Sequence, residues 1–227
     1  MGKTPQPFHF MGCWELYEML GRRAWDEREL VDAIEEVPLD SIYVHTHGHF
    51  LRHKYIAGPY PNDFATWAAI QVRDRVLGEK LAVLDPFELP DLTAVRAELI
   101  SLIDDHMRSS RMVARVVFGE PFEFMQSRTL EVPTGIKVRT LAEFRDALAD
   151  TVDASVIYYH VIEARRHRAR RRTDFALWIE RELGDKALAE RISRLNPYGL
   201  SLESIRRRLV ATCDAALAAG GAETMPA

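Results

Sequence analysis

Histidine is the residue type whose spacing in this sequence most suggests chemistry. Four histidines crowd one short segment: His45, His47, His49 and His53. If that segment is helical, His45, His49 and His53 fall on one face and can present their imidazoles to a single cation. If it is extended, His45, His47 and His49 share a face instead. Both geometries make a divalent metal such as zinc, manganese or iron a candidate cofactor, because imidazole suits those ions.

A second group of candidate ligands lies in the other half of the chain. His160, Glu163 and His167 also fall on one face of a helix. Only His45 and His160 correspond to each other when the two halves are compared, so a symmetrical metal site is not expected. Histidines that are packed within helices or exposed to solvent are the simpler interpretation of both groups.

A tyrosine precedes each of the two corresponding histidines by two residues. The pairs are Tyr43 with His45 and Tyr158 with His160. A tyrosine hydrogen-bonded to histidine can act as an acid–base couple, because histidine titrates near neutral pH. It can equally be a satisfied core contact, since both residue types are commonly half-buried with one polar end.

Two aspartates, Asp63 and Asp174, each begin a D-F-A-x-W segment. The carboxylates can serve a catalytic site. They can also do no more than stabilise the start of a helix, where a negative charge suits the helix dipole.

The strongest charge pattern is an arginine-rich run near residue 170. Guanidinium groups bind phosphates through two parallel hydrogen bonds, so the run favours a small anionic ligand or an acidic surface on a partner protein. It contains no interleaved aromatic residues, so single-stranded nucleic acid is not an expected ligand. A solvated helix end is the simpler interpretation. The predicted binding residues are Arg165, Arg166, Arg168, Arg170, Arg171 and Arg172.

Similar sequence blocks in the two halves indicate the elements that position these residues. Pro7-Phe8-His9-Phe10 and Pro121-Phe122-Glu123-Phe124 alternate apolar and polar residues, which predicts a short strand in each half. Thr140 stands three residues before Glu143, an arrangement that predicts a capped helix start.

Taken together, the blocks predict a mainly α-helical protein with one or two short strands per copy. The predicted architecture is a tandem duplication of a helical module of about 110 residues, with pseudo-twofold symmetry. Leu77-Gly78 and Leu183-Gly184 are predicted to end helices. The predicted domains are residues 7–110 and residues 111–218, with loose tails at residues 1–6 and 219–227.

Several of these blocks together resemble an uncharacterised bacterial family, one of the domain-of-unknown-function families. The resemblance covers the chain from Pro7 to about Leu217 and implies a fold but no chemistry. Copy two departs from the pattern at Thr173 and Asn196. The blocks that carry it are Phe8 and Phe10, Ser41 to His45, Asn62-Asp63-Phe64 with Trp67, Leu183-Gly184-Asp185, and Asn196-Pro197-Tyr198.

Composition and charge indicate the cellular location of the protein and exclude some classes of partner. The net charge is −4, but residues 1–110 hold 11 Lys and Arg against 18 Asp and Glu, whereas residues 111–227 hold 19 against 16. Such a balance argues against whole-surface nucleic-acid binding. The sequence contains neither a membrane-length apolar run nor a secretory signal, and two cysteines are too few for a disulfide framework. A cytoplasmic protein with no membrane association is therefore predicted.

The motifs of common hydrolases, nucleotide-binding proteins and metalloproteases are absent from the sequence. A duplicated helical unit with few motifs fits a non-catalytic binding or regulatory module better than an enzyme. The alternative is a metal-dependent enzyme or metal-binding protein that uses His45, His49 and His53. A homo-oligomer in which oppositely charged halves pair head to tail is a third hypothesis.

Overall fold

The structure, a computed structural model, describes residues 5–110, 112–165 and 172–222. Within these ranges two strands, β1 (Phe8–Ala24) and β2 (Phe122–Val138), pair in one two-stranded antiparallel sheet. Each strand begins with the predicted alternation: Phe8 and Phe10 are buried, and so are Phe122 and Phe124. The strands are 17 residues long, much longer than the short strands that the sequence predicts.

Between the strands, the described residues form six α-helices, and one of these extends into a π-helical turn over Ala68–Val72. Short side chains of Asp and Asn begin most of these helices by accepting a backbone N–H, as at Asp26 and Asn62. The helices are α1 (Glu27–Glu36), α2 (Leu39–Thr46), α3 (His49–Arg52), α4 (Asp63–Trp67), α5 (Arg75–Val83) and α6 (Leu92–Ser109).

Most helices described after β2 also begin with a short polar side chain that accepts a backbone N–H. Three of them continue as π-helical turns, over Ala147–Thr151, Tyr159–Glu163 and Ile179–Leu183. The capping box predicted at Thr140 and Glu143 is confirmed, because each side chain bonds the backbone of the other residue. These helices are α7 (Leu141–Asp146), α8 (Ala154–Tyr158), α9 (Asp174–Trp178), α10 (Lys186–Ser193) and α11 (Leu202–Ala222).

The fold class predicted from sequence, a tandem duplication of helical modules with pseudo-twofold symmetry, is wrong. The described residues are 57% helical, but β1 and β2 pair with each other in a single sheet rather than forming short strands within separate modules. The physical reason is that a lone strand leaves its backbone N–H and C=O groups unpaired, and a long partner strand elsewhere in the chain satisfies them.

The chain divides into two compact units that are discontinuous in sequence. The unit that we call the His45 unit comprises Glu15–His53 and Ala57–Thr129. The unit that we call the His160 unit comprises Met1–Trp14, Lys54–Ile56 and Leu130–Ala227. Each unit therefore takes a part of β1 and a part of β2. The proposed domain boundary near residue 110 stays a prediction about independent folding.

Each unit has its own aromatic core. In the His45 unit, the ring of Phe64 stacks on that of Phe122 at 4.8 Å, and the indole N–H of Trp67 donates to the carbonyl of Glu120 over 3.1 Å. In the His160 unit, Phe10 stacks on Phe144 at 5.6 Å. Burial of these large aromatic side chains contributes to the stability of each unit.

Within the ranges that the structure describes, every helix is too short or too polar to cross a membrane.

Candidate functional site

His45 lies near the end of α2, where both of its ring nitrogens are engaged. The main-chain N–H of Met125 in β2 donates to Nε2 over 3.1 Å, so Nδ1 carries the proton and donates to Oδ2 of Asp63 over 2.8 Å. The side chain is 2% exposed. Burial lowers the pKa of His45 below its ordinary value, against the opposing effect of Asp63. His45 is therefore a neutral bridge between a strand and a helix.

The carboxylate of Asp63, the first residue of α4, forms hydrogen bonds with three side chains. Its Oδ2 accepts from His45 and from the guanidinium of Arg52, and its Oδ1 bonds Nδ1 of His49 over 2.8 Å. Burial alone would raise the pKa of Asp63, but hydrogen bonds from the two histidines and the charge of Arg52 outweigh it and hold the pKa well below its usual range. The group is thus an ionised carboxylate surrounded by donors.

Two of the three histidines predicted to bind a metal, His45 and His49, direct Nδ1 at the carboxylate of Asp63, and the described residues do not group all three as ligands of one ion. His53 stacks on His49 at 4.0 Å, and its Nδ1 bonds the carbonyl oxygen of His49 over 3.0 Å. His45 uses both nitrogens elsewhere. Metal binding by His45, His49 and His53 stays a prediction, and the engaged nitrogens of His45 count against it.

The His160 unit holds a similar arrangement. The main-chain N–H of Met11 in β1 donates to Nε2 of His160 over 2.9 Å, and Nδ1 bonds Oδ2 of Asp174 over 3.2 Å. His160 lies in the π-helical turn that follows α8 and is 3% exposed. In both units, a buried histidine thus joins a strand amide to the first residue of a helix.

The aspartates bind histidine because neighbouring residues cap the helices. Asn62 accepts the N–H of Ala65 over 2.8 Å at the start of α4, and Thr173 accepts that of Ala176 over 3.2 Å at the start of α9. The predicted position of Asp63 in the first turn of a helix is confirmed, but Asn62 provides the side-chain cap and Asp63 additionally binds histidine.

The rings of the predicted tyrosine–histidine pairs contact neighbouring residues. The ring of Tyr43 stacks on His47 at 4.7 Å, and both Tyr43 and Tyr158 are buried. His160 has the ring of Tyr159 edge-on at 5.0 Å. A functional coupling of Tyr43 with His45, or of Tyr158 with His160, stays a prediction.

Two of the six predicted anion-binding arginines lie within the described residues. Arg165 donates to the carbonyl of Leu195 over 3.3 Å. Arg172 donates to Ser193 Oγ over 3.4 Å and forms an ion pair with Glu180. The other predicted residues of this stretch lie outside the residues that the structure describes: Arg166, His167, Arg168, Arg170 and Arg171.

One polar cluster escaped sequence analysis altogether. Glu27, Asp74 and His106 meet in the His45 unit, although tens of residues separate them along the chain. No spacing rule for a single helix or strand can bring such residues together, so the sequence contains no signal for the cluster.

Comparison with known proteins places this architecture in a family. The chain is similar to the solved structure of OrfY from Thermoproteus tenax, with 28% sequence identity and a TM-score of 0.78. That similarity covers 95% of this chain and 97% of OrfY. No curated protein matches the sequence. Residues 5–214 match a family of unknown function, DUF5752, and the chain belongs to that family.

Proposed function

We propose that the protein is a non-catalytic binding or regulatory protein that recognises a partner protein or an anionic ligand through its arginine-rich segment, residues 165–172. The segment contains six arginines and no acidic residue. Guanidinium groups bind phosphate or carboxylate oxygens in pairs of parallel hydrogen bonds, which gives both affinity and orientation. A bacterial origin and a cytoplasmic location are part of the same proposal.

The observation that carries the proposal is the fixed position of the two ends of the segment. Arg165 is bonded to the backbone at Leu195, just beyond α10, and Arg172 is bonded to Ser193 within α10. Both ends of the segment are therefore held close to the C-terminal end of one helix. A segment whose two ends are held loses less conformational entropy when it binds a ligand than a free tail does.

The distribution of charge supports the same surface. The His160 unit, which contains the segment, has 18 Lys and Arg against 14 Asp and Glu, a formal balance of +4. The His45 unit has 12 against 20, a balance of −8. The charge difference between the two structural units is larger than the difference between the two halves of the sequence. A locally positive unit steers anionic partners toward itself at moderate ionic strength.

The hydrogen bonds of His45 and His160 favour binding over catalysis. A general base needs a nitrogen that can reach a substrate proton. His45 and His160 each have one nitrogen bonded to a strand amide and the other bonded to an aspartate. These bonds support a structural role for the residues that sequence analysis considered as an acid–base pair.

The proposal is tested with the full-length chain and the triple variant Arg166→Glu, Arg170→Glu, Arg171→Glu. Inorganic tripolyphosphate serves as the anionic probe in calorimetric titrations at low salt, and a pulldown from bacterial lysate serves as the protein arm. We expect the variant to bind tripolyphosphate at least about tenfold more weakly, because each lost charge-assisted bond is worth on the order of 1.5–3 kcal/mol.

A charge-matched variant controls for general electrostatics. Arg139, Arg207 and Arg208 are exposed cations of the same unit, and their triple Glu variant changes the charge equally. It should keep the wild-type affinity within about twofold if the site is specific. Equal losses in both variants contradict the proposal. So does a wild-type chain that binds no tripolyphosphate and retains no protein in an arginine-dependent way.

A further inference from the structure

Three helix ends in the His45 unit bring together three side chains that can ligate a metal. Glu27 is the first residue of α1, Asp74 directly precedes α5, and His106 lies in the last turn of α6. Helix ends carry the capping side chains and fix their positions, because backbone hydrogen bonds there must be completed by side chains. Asp74 is held in this way, since its Oδ1 accepts the N–H of Leu77 over 2.8 Å.

The ligand atoms of the cluster lie close to one another. Nε2 of His106 is 2.8 Å from Oδ2 of Asp74 and 3.9 Å from Oε1 of Glu27, and the three ligand atoms all fall within 4.8 Å of one another. A tetrahedral zinc ion with bonds of about 2.1 Å separates its ligands by about 3.4 Å. One of the two distances from Nε2 of His106 is shorter than this value and the other is longer. Small side-chain rotations would therefore bring the three ligand atoms around an ion.

The buried carboxylate of Glu27 independently indicates that a cation can bind here. The residue is 0% exposed, and within the described part of the chain neither of its carboxylate oxygens accepts a hydrogen bond of good geometry. The backbone of Ala114 interacts with the carboxylate only weakly, and Nε2 of His106 is 3.9 Å from Oε1. A buried carboxylate with so little hydrogen bonding is strongly disfavoured in its ionised form. A cation next to the two oxygens would remove that cost.

The electrostatic surroundings agree with a cation. Burial raises the pKa of Glu27, and the nearby imidazole of His106 and the backbone of Ala114 only partly offset this. The pKa of Asp74 is instead lowered, because the N–H of Leu77 and the ring of His106 outweigh its burial. The whole unit carries a formal balance of −8. Among the described residues, Lys80 places its Nζ 3.5 Å from Nδ1 of His106, and this exposed, flexible side chain can move away when an ion binds.

We propose that Glu27, Asp74 and His106 form a binding site for one divalent transition-metal ion, with zinc as the best fit. One imidazole nitrogen and two carboxylate oxygens are ligands that zinc and manganese accept, whereas magnesium and calcium prefer oxygen ligands alone. A water molecule completes the tetrahedron. The ion ties together the ends of three helices, so its role is to stabilise the His45 unit.

Titration of the full-length, tag-free chain after dialysis against EDTA tests the site. Zinc chloride should bind with one ion per chain and raise the melting temperature, because an ion that binds only the folded state stabilises it. Manganese should bind more weakly, and magnesium should not compete. Glu27→Gln and Asp74→Asn should each weaken zinc binding about tenfold or more in calorimetry.

Both variants are chosen to keep the fold. Asp74→Asn retains a side-chain oxygen that can accept the N–H of Leu77, and Glu27→Gln replaces the carboxylate with a neutral group of the same shape; circular dichroism without metal verifies each. Glu98→Gln, on the exposed side of α6, is the matched control, and His53→Gln removes a member of the other histidine group. Both should bind zinc as the wild type does. The proposal is overturned if the wild type binds no stoichiometric zinc, or if zinc binding survives Glu27→Gln and Asp74→Asn unchanged.

Discussion

At the scale of single residues, the buried histidines act as connectors. His45 accepts a hydrogen bond from a strand amide and donates one to Asp63, so a single side chain satisfies groups on two different elements. A buried N–H or carboxylate that loses its partner costs about 1–3 kcal/mol or more. This explains why a titratable residue is kept in an apolar environment beside Phe64 and Phe122.

Protonation of His45 is expected to weaken the protein as the pH falls. In the unfolded chain a histidine takes up a proton near pH 6.5, whereas burial lowers the pKa of His45 in the folded chain. The unfolded state then binds more protons below that pH. The stabilising contribution is therefore complete above about pH 6.5 and is lost as the pH falls toward the folded pKa, by at most about 1.4 kcal/mol per pH unit.

Urea unfolding at several pH values between 8 and 5 measures this dependence. His45→Gln keeps an acceptor for the N–H of Met125 but cannot be protonated, so its free energy of unfolding should fall less steeply with decreasing pH. Equal slopes in the two proteins would exclude His45 as the titrating group.

At the scale of elements, two left-handed residues end the π-helical turns after α4 and α9. Arg73 has φ of 66° and Gly184 has φ of 74°. The predicted helix stop at Gly184 agrees with this geometry, but the one at Gly78 is wrong, because Gly78 lies inside α5. A Cβ at residue 78 would lie 2.6 Å from the Cβ of Ala69, so that glycine serves close packing.

Arg73→Gly should stabilise the protein by about 0.5–1 kcal/mol. A left-handed conformation costs a non-glycine residue about 1–2 kcal/mol, and the greater freedom of glycine in the unfolded chain returns part of that gain. Arg73 is exposed, so little packing is lost. Urea denaturation gives the change in the free energy of unfolding.

Gly184→Ala is the reciprocal test. No atom lies within 4 Å of a Cβ at residue 184, so the expected loss of about 1 kcal/mol comes from φ alone. A destabilised Arg73→Gly variant would show that the arginine side chain contributes more than its backbone strain costs.

At the scale of the whole molecule, each compact unit depends on both halves of the chain. The core of the His45 unit includes Phe122 and Phe124 from β2. In the His160 unit, Phe8 contacts Phe144 at 5.9 Å and Trp178 at 5.5 Å. Each half of the chain therefore supplies a strand end to a core built mostly from the other half.

Fragments that separate the halves should not fold alone. Residues 1–110 lack the N–H of Met125 that His45 binds and the two phenylalanines of β2, and residues 111–227 lack Phe8, Phe10 and Met11. Burying a phenylalanine contributes about 1.5–3 kcal/mol, so losing two of them removes much of a typical stability of about 5–15 kcal/mol.

Circular dichroism during thermal unfolding of each fragment provides the measurement. We expect no cooperative transition for either fragment and recovery of one when the two are expressed together. A cooperative transition for residues 1–110 alone would instead support the domain boundary predicted near residue 110.

Local features were readable from the sequence because their partners are near in the chain. The alternation at Phe8 and Phe10 marked the start of a strand, and Thr140 with Glu143 marked the start of a helix. Both signals depend on contacts within four residues, which the periodicity of a strand or a helix already specifies. Several sequence blocks between Pro7 and about Leu217 also indicated a family of unknown function, and residues 5–214 match such a family.

Tertiary structure alone decided which distant residues meet. The pairing of β1 with β2, the bonds from Asp63 to His45 and His49, and the meeting of Glu27 with Asp74 and His106 join residues that lie from 14 to more than 100 positions apart. Such contacts follow from burying apolar surface while satisfying buried polar groups, and that balance is a property of the packed chain rather than of any short segment.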